Sequence, residues 1–328
     1  MKKIGLFGVG HLGKIHAKCI TESDRMTLCG IYDIDIDKAK EVANEYNVEA
    51  FPSMDELIER CDIADIVTPT ITHFEVAKKA VLAKKAIFIE KPVVATVEEA
   101  MELIELQKQH GVKIQVGHVE RFNPAFLATE KLIKTPLFIE AHRLGFFNTR
   151  GNDVSVILDL IIHDLDIVLK ITNSKLLDIQ ASGVAIVTDT IDIANARLHF
   201  ENGCVANLTA SRISLKNMRK MRIFQEGRYI SIDFFNKKSE VVHIEDYIDK
   251  NNPFAMVLDI GEGKPQKQIV VESPPIVMNN AIRSELESLV YSIENETPTT
   301  VTLQDGTNAL MAAHEILTKI NRQNKIKG

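Results

Sequence analysis

The sequence predicts an α/β protein in two parts. A doubly wound parallel sheet comes first, and an α+β domain with a large, open, mainly antiparallel sheet follows. Three observations carry this. Short apolar runs alternate with helical patterns over residues 1–120. The first of these units reads strand, glycine turn, helix, strand, acid. Past residue 121 the pattern changes to a series of alternating β-rich runs. A chain of 328 residues suits two domains of about 100–200 residues each, placed here at 1–120 and 121–328.

The first unit opens with the apolar run Lys3-Ile4-Gly5-Leu6-Phe7, read as a buried strand. The turn Gly8-Val9-Gly10-His11-Leu12-Gly13 follows, then a helical pattern over 14–21 with Ile15 and Cys19 on one face. A second apolar run, 26–32, ends in Asp33. In a dinucleotide site the first glycine permits the tight turn. The second lets a pyrophosphate approach the backbone, and the third lets helix and strand pack closely. The helix N-terminus then presents N–H groups and a positive dipole end to the phosphates. Asp33 stands where a carboxylate accepts hydrogen bonds from the ribose hydroxyls. Asp35 and Asp37 are near it and the run holds no Arg, so the expected cofactor is NAD rather than NADP.

Residues 38–46 read as a helix leading to Ala50-Phe51-Pro52. Ser53 is the expected N-cap of the next helix, with Glu56 completing a capping box. Strand 63–67 stops at Thr68-Pro69-Thr70, helix 72–82 follows, and strand 86–89 ends in Glu90-Lys91-Pro92. Helix 96–110 and strand 113–116 lead to Gly117-His118. Open parallel sheets bind ligands outside the carboxyl ends of their strands. That rule groups Gly8 to Gly13, Asp33, Thr68, Pro69, Glu90, Lys91 and His118 in one neighbourhood.

In the second part a helix is expected after Asn123-Pro124, a strand over 137–144 and a long helix over 154–171. Five β-rich runs follow: 179–187, 191–200, 204–212, 218–224 and 229–235. Glu201-Asn202-Gly203 makes a hairpin turn between two of them. Helices over 280–293 and 303–320 close the chain and are candidates to pack back on the first domain. The broad face of the sheet needs cover, so a homo-oligomer (dimer or tetramer) is expected.

Composition narrows the function. The chain is 45% hydrophobic and 26% charged, and its formal charge of −6 gives no global case for nucleic acid. No apolar run reaches the roughly 18 residues of a membrane span, and a first strand starting by Lys3 leaves no room for a signal peptide. Cys19, Cys29, Cys61 and Cys204 show no metal or redox spacing. They read as buried thiols of a cytoplasmic protein, with no metal expected.

Two groups of residues suggest chemistry. Lys91, restrained by Pro92, is placed to stabilise alkoxide character on a substrate hydroxyl; a solvated lysine paired with Glu90 is the other reading. Asp159 and His163 are i and i+4 on a helix, with Asp166 three further on, so the three share a face. A carboxylate one turn from an imidazole orients it as a base; a satisfied core pair is the alternative. His11 is expected at the cofactor phosphates and His73 beside the nicotinamide. His118 and Arg121 follow a strand end. His16, His110, His199, His243 and His314 belong to no constellation. Lys216, Arg219, Lys220 and Arg222 form a basic cluster, either a solvated strand edge or a seat for a phosphate-bearing substrate.

With Gly8 to Gly13, Glu90-Lys91-Pro92 and Asp159/His163 in place, the chain resembles the Gfo/Idh/MocA oxidoreductases over essentially its whole length. The resemblance implies a Rossmann domain followed by an open-sheet α+β domain. It implies that Lys91 contacts the reacting hydroxyl and that His163 is the acid/base with Asp159 beside it. It also implies cofactor contacts from Gly8, Gly10, His11, Leu12, Gly13, Asp33, Thr68, Pro69, His73, Glu90 and Lys91. The run Gly151-Asn152-Asp153 departs from the glycine-rich stretch of many members. Arg121-Phe122-Asn123-Pro124 and the His163 helix look most like the members that act on nucleotide sugars. The implied reaction is NAD-dependent oxidation of a secondary sugar hydroxyl, with UDP-N-acetylglucosamine at C3 as the first candidate. Arg121, Asn123, Lys216 and Arg219 are then candidate substrate contacts. The alternatives are a free-sugar or inositol-type dehydrogenase and, in another class, a non-catalytic NAD-binding regulator; the intact Lys91, Asp159 and His163 argue against the last.

Overall fold

The computed structural model describes residues 1–148, 154–246 and 256–327, with side chains to residue 323. Two compact units divide the chain. Unit 1 is Met1–Phe122 with Asn279–Ala312, and unit 2 is Asn123–Met278 with Ala313–Gly328.

Unit 1 begins β1 (Lys2–Phe7), α1 (His11–Thr21), β2 (Met26–Tyr32), α2 (Ile36–Tyr46) and α3 (Met54–Arg60). It continues β3 (Ile63–Ile66), α4 (Thr70–Leu82), β4 (Ala86–Glu90), α5 (Val97–His110) and β5 (Ile114–Gly117). All five strands are parallel, in the order β2-β1-β3-β4-β5. The order reverses direction between β1 and β3, and that switch opens the crevice where the glycine turn and Thr68 meet. Helices cover both faces, so β3 and β5 are buried at every position, each with a single polar residue, Asp65 and Gln115, among apolar or small ones. The capping box expected at Ser53 and Glu56 is not formed. Ser53 Oγ accepts from Asp55 N–H at 3.2 Å, one residue earlier than a box requires. A reciprocal box closes α5 instead, between Thr96 and Glu99.

Unit 2 begins with α6 (Pro124–Leu127), one turn capped by Asn123, and β6 (Phe138–Leu144). The helix expected from residue 154 starts later, as a π-helical turn over Ile157–Ile161, and becomes α-helical as α7 (Ile162–Thr172). The strands are β7 (Leu176–Val184), β8 (Ile193–Phe200), β9 (Val205–Ser211), β10 (Met218–Gln225), β11 (Arg228–Asp233), β12 (Lys238–Glu245), β13 (Met256–Leu258) and β14 (Lys267–Glu272). Among the described residues they make one nine-stranded sheet, β13-β14-β12-β11-β10-β6-β9-β8-β7, antiparallel except where β6 meets β9. β12, β13 and β14 extend the sheet beyond the strands the sequence indicated. β7 and β8 end short of their apolar runs because the N–H groups of Ile186, Val187 and Thr188 turn inward to the buried Asp192 carboxylate, at 2.7, 2.7 and 3.0 Å. On one face Phe138, Phe224, Tyr229, Val242 and Val271 are register partners, an apolar row across five strands.

α8 (Ala281–Glu294) and α9 (Leu303–Lys327) follow. α8 belongs to unit 1, where Leu286, Leu289 and Val290 join the core built by α1, α2, β1 and β2. Ser23 Oγ donates to Glu287 at 2.8 Å and Gln115 Nε2 to Ser288 Oγ at 2.9 Å, fixing α8 to the loop after α1 and to β5. The four cysteines are free; Cys19, Cys61 and Cys204 are buried, while Cys29, expected to be so, is only half-buried. Among the described residues no helix is long and apolar enough to cross a membrane.

Candidate active site

A cavity of about 700 Å³ opens at the carboxyl ends of β1 to β4 in unit 1. Gly8, Gly10, His11, Leu12, Asp33, Thr68, Pro69, His73, Glu90 and Lys91 all line it. Gly13 does not, and its role is structural. A Cβ there would stand 2.1 Å from the Gly8 carbonyl oxygen, so only glycine lets α1 pack this closely on the turn. Gly8 itself has φ +95°, and a Cβ on it would strike the Thr68 nitrogen at 2.8 Å. Gly10 is the opposite case, with nothing within 4 Å of its Cβ position. The backbone there faces open space at the N-terminus of an eleven-residue helix, a cradle that fits a dinucleotide pyrophosphate.

Asp33 is tied into the turn. One carboxylate oxygen accepts from Val9 N–H at 2.8 Å and the other from Asp35 N–H at 3.0 Å. Lys38 also lines the cavity, but its ammonium lies 2.8 Å from Asp35. His73 is 1% exposed and lies between two loops, with Nε2 2.8 Å from the Thr68 carbonyl and Nδ1 3.0 Å from the Pro92 carbonyl. Burial holds its pKa below the ordinary value, against the pull of those carbonyls. A neutral ring carries one N–H and donates to only one of these carbonyls at a time, which suits a clamp on the Lys91-Pro92 loop rather than a proton carrier.

Lys91 is half-buried at the end of β4. Its backbone N–H donates to Glu90 Oε2 at 3.1 Å. The Glu90 carboxyl fits because residue 117 is glycine: a Cβ there would lie 2.8 Å from Glu90 Oε1. Behind Glu90 stands His16, fully buried, with Nε2 3.4 Å from Glu90 Oε1 and Nδ1 3.0 Å from Asp65. Burial alone would lower the His16 pKa, but the Asp65 and Glu90 carboxylates more than offset it and hold the ring well above its ordinary value. His16 was placed in no constellation from the sequence; here it belongs to one. The available signal was a histidine three residues past Gly13 on α1, whose partner strands lie far along the chain.

In unit 2, Asp159 sits in the π-helical turn and His163 is the second residue of α7, both partly exposed. Asp166, expected on the same face, is buried, at 1% exposure. Asp164 is also buried, and Arg143 of β6 donates to it twice, at 3.1 and 2.8 Å. The stretch Gly151-Asn152-Asp153 lies outside the described residues. Asn123 caps α6 through Ala125 N–H and donates to the Phe234 carbonyl, so its polar atoms are used in the fold. Arg121, in unit 1, is 5% exposed with Nη1 3.6 Å from Asp305. The basic cluster does not form one patch. Lys216 lies outside any strand, before β10. Lys220 and Arg222 alternate onto one face of β10, beside Asp233 at 3.5 Å and Glu140 at 2.9 Å. Arg219 faces the other way, in register with Arg143.

Two family models match the chain: the oxidoreductase family with an NAD-binding Rossmann fold over residues 2–118, and the GFO/IDH/MocA C-terminal domain over residues 137–230. The chain belongs to the Gfo/Idh/MocA oxidoreductase family. Within it, the chain is 42% identical over 242 residues to UDP-N-acetylglucosamine 3-dehydrogenase of Acidithiobacillus ferrooxidans, covering 74% of this chain and 77% of that one. A solved structure of UDP-N-acetylglucosamine 3-dehydrogenase from the same organism matches with TM-score 0.88 at 35% identity, covering 97% of each chain. Scyllo-inositol 2-dehydrogenase (NAD(+)) of Bacillus subtilis is 28% identical over 235 residues, covering 65% of this chain and 68% of the relative. Scyllo-inositol dehydrogenase from Lactobacillus casei, solved with NAD(H) and scyllo-inositol, shares the fold at TM-score 0.79 and 22% identity. As an oxidoreductase of this family, the chain carries its dinucleotide site in unit 1.

Proposed function

We propose that this enzyme uses NAD to oxidise the C3 hydroxyl of UDP-N-acetylglucosamine. The observation that carries the substrate is the 42% identity to the Acidithiobacillus enzyme, well above the 28% shared with the inositol dehydrogenase. Gly8, Gly10 and the N-terminus of α1 would hold the pyrophosphate and Asp33 the ribose hydroxyls. NAD, when bound, supplies the hydride acceptor. His163, oriented by Asp159, takes the hydroxyl proton. The Lys91 ammonium stabilises the oxygen as negative charge develops on it. Arg219 and Lys216 are the side chains offered for the diphosphate of the substrate, whereas the bonds made by Asn123 favour a structural role for it. The apolar row across the unit 2 sheet supports a homo-oligomer, and four free thiols fit a reducing cytoplasm.

The test is NADH absorbance with enzyme at a concentration similar to NAD, so that an unfavourable equilibrium still shows one turnover. NADH formed with UDP-N-acetylglucosamine and absent with the free sugar and with inositol is the expected result. NADH formed with inositol alone would replace the substrate reading.

Preference for NAD over NADP rests on Asp33. Asp33→Asn keeps an acceptor for Val9 N–H and removes the charge that opposes a 2′-phosphate. Hydrogen bonds to charged groups are worth about 1.5–3 kcal/mol. The NAD-to-NADP ratio of kcat/KM should therefore fall by roughly ten- to a hundredfold. An unchanged ratio would mean that another residue selects the cofactor.

A further inference from the structure

Beneath the Glu90-Lys91 turn, unit 1 gathers three carboxyl groups around one imidazole, each from a different element. His16 comes from α1, Asp65 from β3, Glu90 from the end of β4 and Glu285 from α8. His16, Asp65 and Glu285 are fully buried and Glu90 is 7% exposed. His16 Nε2, a Glu90 oxygen and a Glu285 oxygen all lie within 4.8 Å of one another. His16 Nδ1 is already used by Asp65. Both carboxyl oxygens of Glu285 are buried without a hydrogen-bond partner, although its backbone carbonyl accepts from Gln115. Its side chain is therefore fixed in place by α8, not by any bond of its own.

Three negative charges facing one imidazolium cannot all persist in a dry interior. Like charges at this separation leave one acid protonated, as in paired catalytic carboxylates. Asp65 is bonded to His16, although burial still raises its carboxyl, and Glu90 receives the Lys91 N–H, which favours its anion. Glu285 has neither support. We propose that Glu285 is a positioning residue for Lys91. As a neutral acid it shares its proton with the Glu90 carboxylate, directly or through one water, and so holds Glu90 anionic and oriented toward Lys91. Burial pushes the Glu285 carboxyl well above its ordinary range, and the Glu90 charge pushes it further. Glu90 is held below its ordinary value: burial opposes this, but the His16 bond and the Lys91 charge overcome it. The remaining charged group facing Glu285 is Glu120, which also favours the neutral acid. The proposal rests on the reading of Lys91 as the cation that acts on the substrate.

The folded protein keeps a proton that the unfolded chain releases above the ordinary glutamate pKa, so this contribution to stability falls as pH rises. E285Q keeps the size and a neutral donor but does not titrate. Its melting temperature should decline less with rising pH than that of wild type. This readout needs no substrate and stands even if the proposed reaction fails. With NAD and the nucleotide sugar, wild-type kcat should drop on the alkaline side as Glu285 ionises, and E285Q should remove that limb. E285A should lower kcat by on the order of ten- to a hundredfold, as misplacement of a catalytic group does, with little change in KM for NAD. E285Q should restore most of the loss. Parallel melting curves against pH for wild type and E285Q would overturn the neutral acid. Wild-type kcat in E285A would overturn the positioning role. A stoichiometric divalent metal in the purified protein, with chelation lowering its melting temperature, would put a cation where the proton is proposed.

Discussion

Lys91→Ala is expected to lower kcat by roughly 10²–10⁴-fold, and His163→Ala by a similar factor, if acid–base and charge stabilisation are theirs. If both act on the reacting oxygen, as proposed, their effects should not multiply. When one partner of such a unit is lost, the other has little left to assist. The double variant should therefore turn over about as slowly as the worse single variant. Stopped-flow or steady-state NADH formation by the four proteins measures this directly. The pH profile separates the roles: wild type should lose kcat/KM on the acid side as the base protonates, and His163→Ala should lose that limb while Lys91→Ala keeps it. Near wild-type turnover in both single variants would remove these residues from the chemistry. Fully multiplicative losses would mean that they act at different steps.

What the sequence made legible was what is local. The glycine turn, Asp33 and the Glu90-Lys91-Pro92 element each declare themselves within a few residues, and the parallel-sheet rule then collects them at one end of the sheet. Their common cavity follows from strand order, which alternating pattern was enough to suggest. The His16 cluster is different. Asp65 reads as one polar residue in a buried strand, and Glu285 as an ordinary acid on an amphipathic helix; only the return of α8 to unit 1 joins them. The π-helical turn before His163 has no compositional mark, because Ile157-Leu158-Asp159-Leu160-Ile161 suits either helix. The basic cluster was a matter of period. Arg219 and Arg222 look adjacent in sequence, but a strand sends odd and even positions to opposite faces. The late strands β13 and β14 are three and six residues long, short enough that flanking polar residues mask them.

The Arg143–Asp164 pair gives the largest expected effect on stability. Both groups are nearly inaccessible, at 3% and 4% exposure, and the guanidinium meets the carboxylate through two bonds. Such a pair contributes little net stability over a well-packed apolar couple, because desolvation consumes most of the attraction. Removing one member is another matter, since it leaves the opposite charge buried without the partner that meets it through two bonds. Asp164→Ala should cost about 3–5 kcal/mol in the urea unfolding of the protein. The double variant Arg143→Met/Asp164→Leu should recover most of that loss. Recovery of activity is a separate question, and it decides what the pair is for. Asp164 immediately follows His163 and ties the first turn of α7 to β6. If the pair merely fills space, the double variant should regain kcat together with stability. If it fixes the direction of the imidazole, the double variant should fold well and still turn over slowly, because apolar packing does not impose the single orientation that a two-bond fork does. An Asp164→Ala variant within about 1 kcal/mol of wild type would place the pair among surface-like ion pairs and leave the orientation of His163 to the π-helical turn and Asp159.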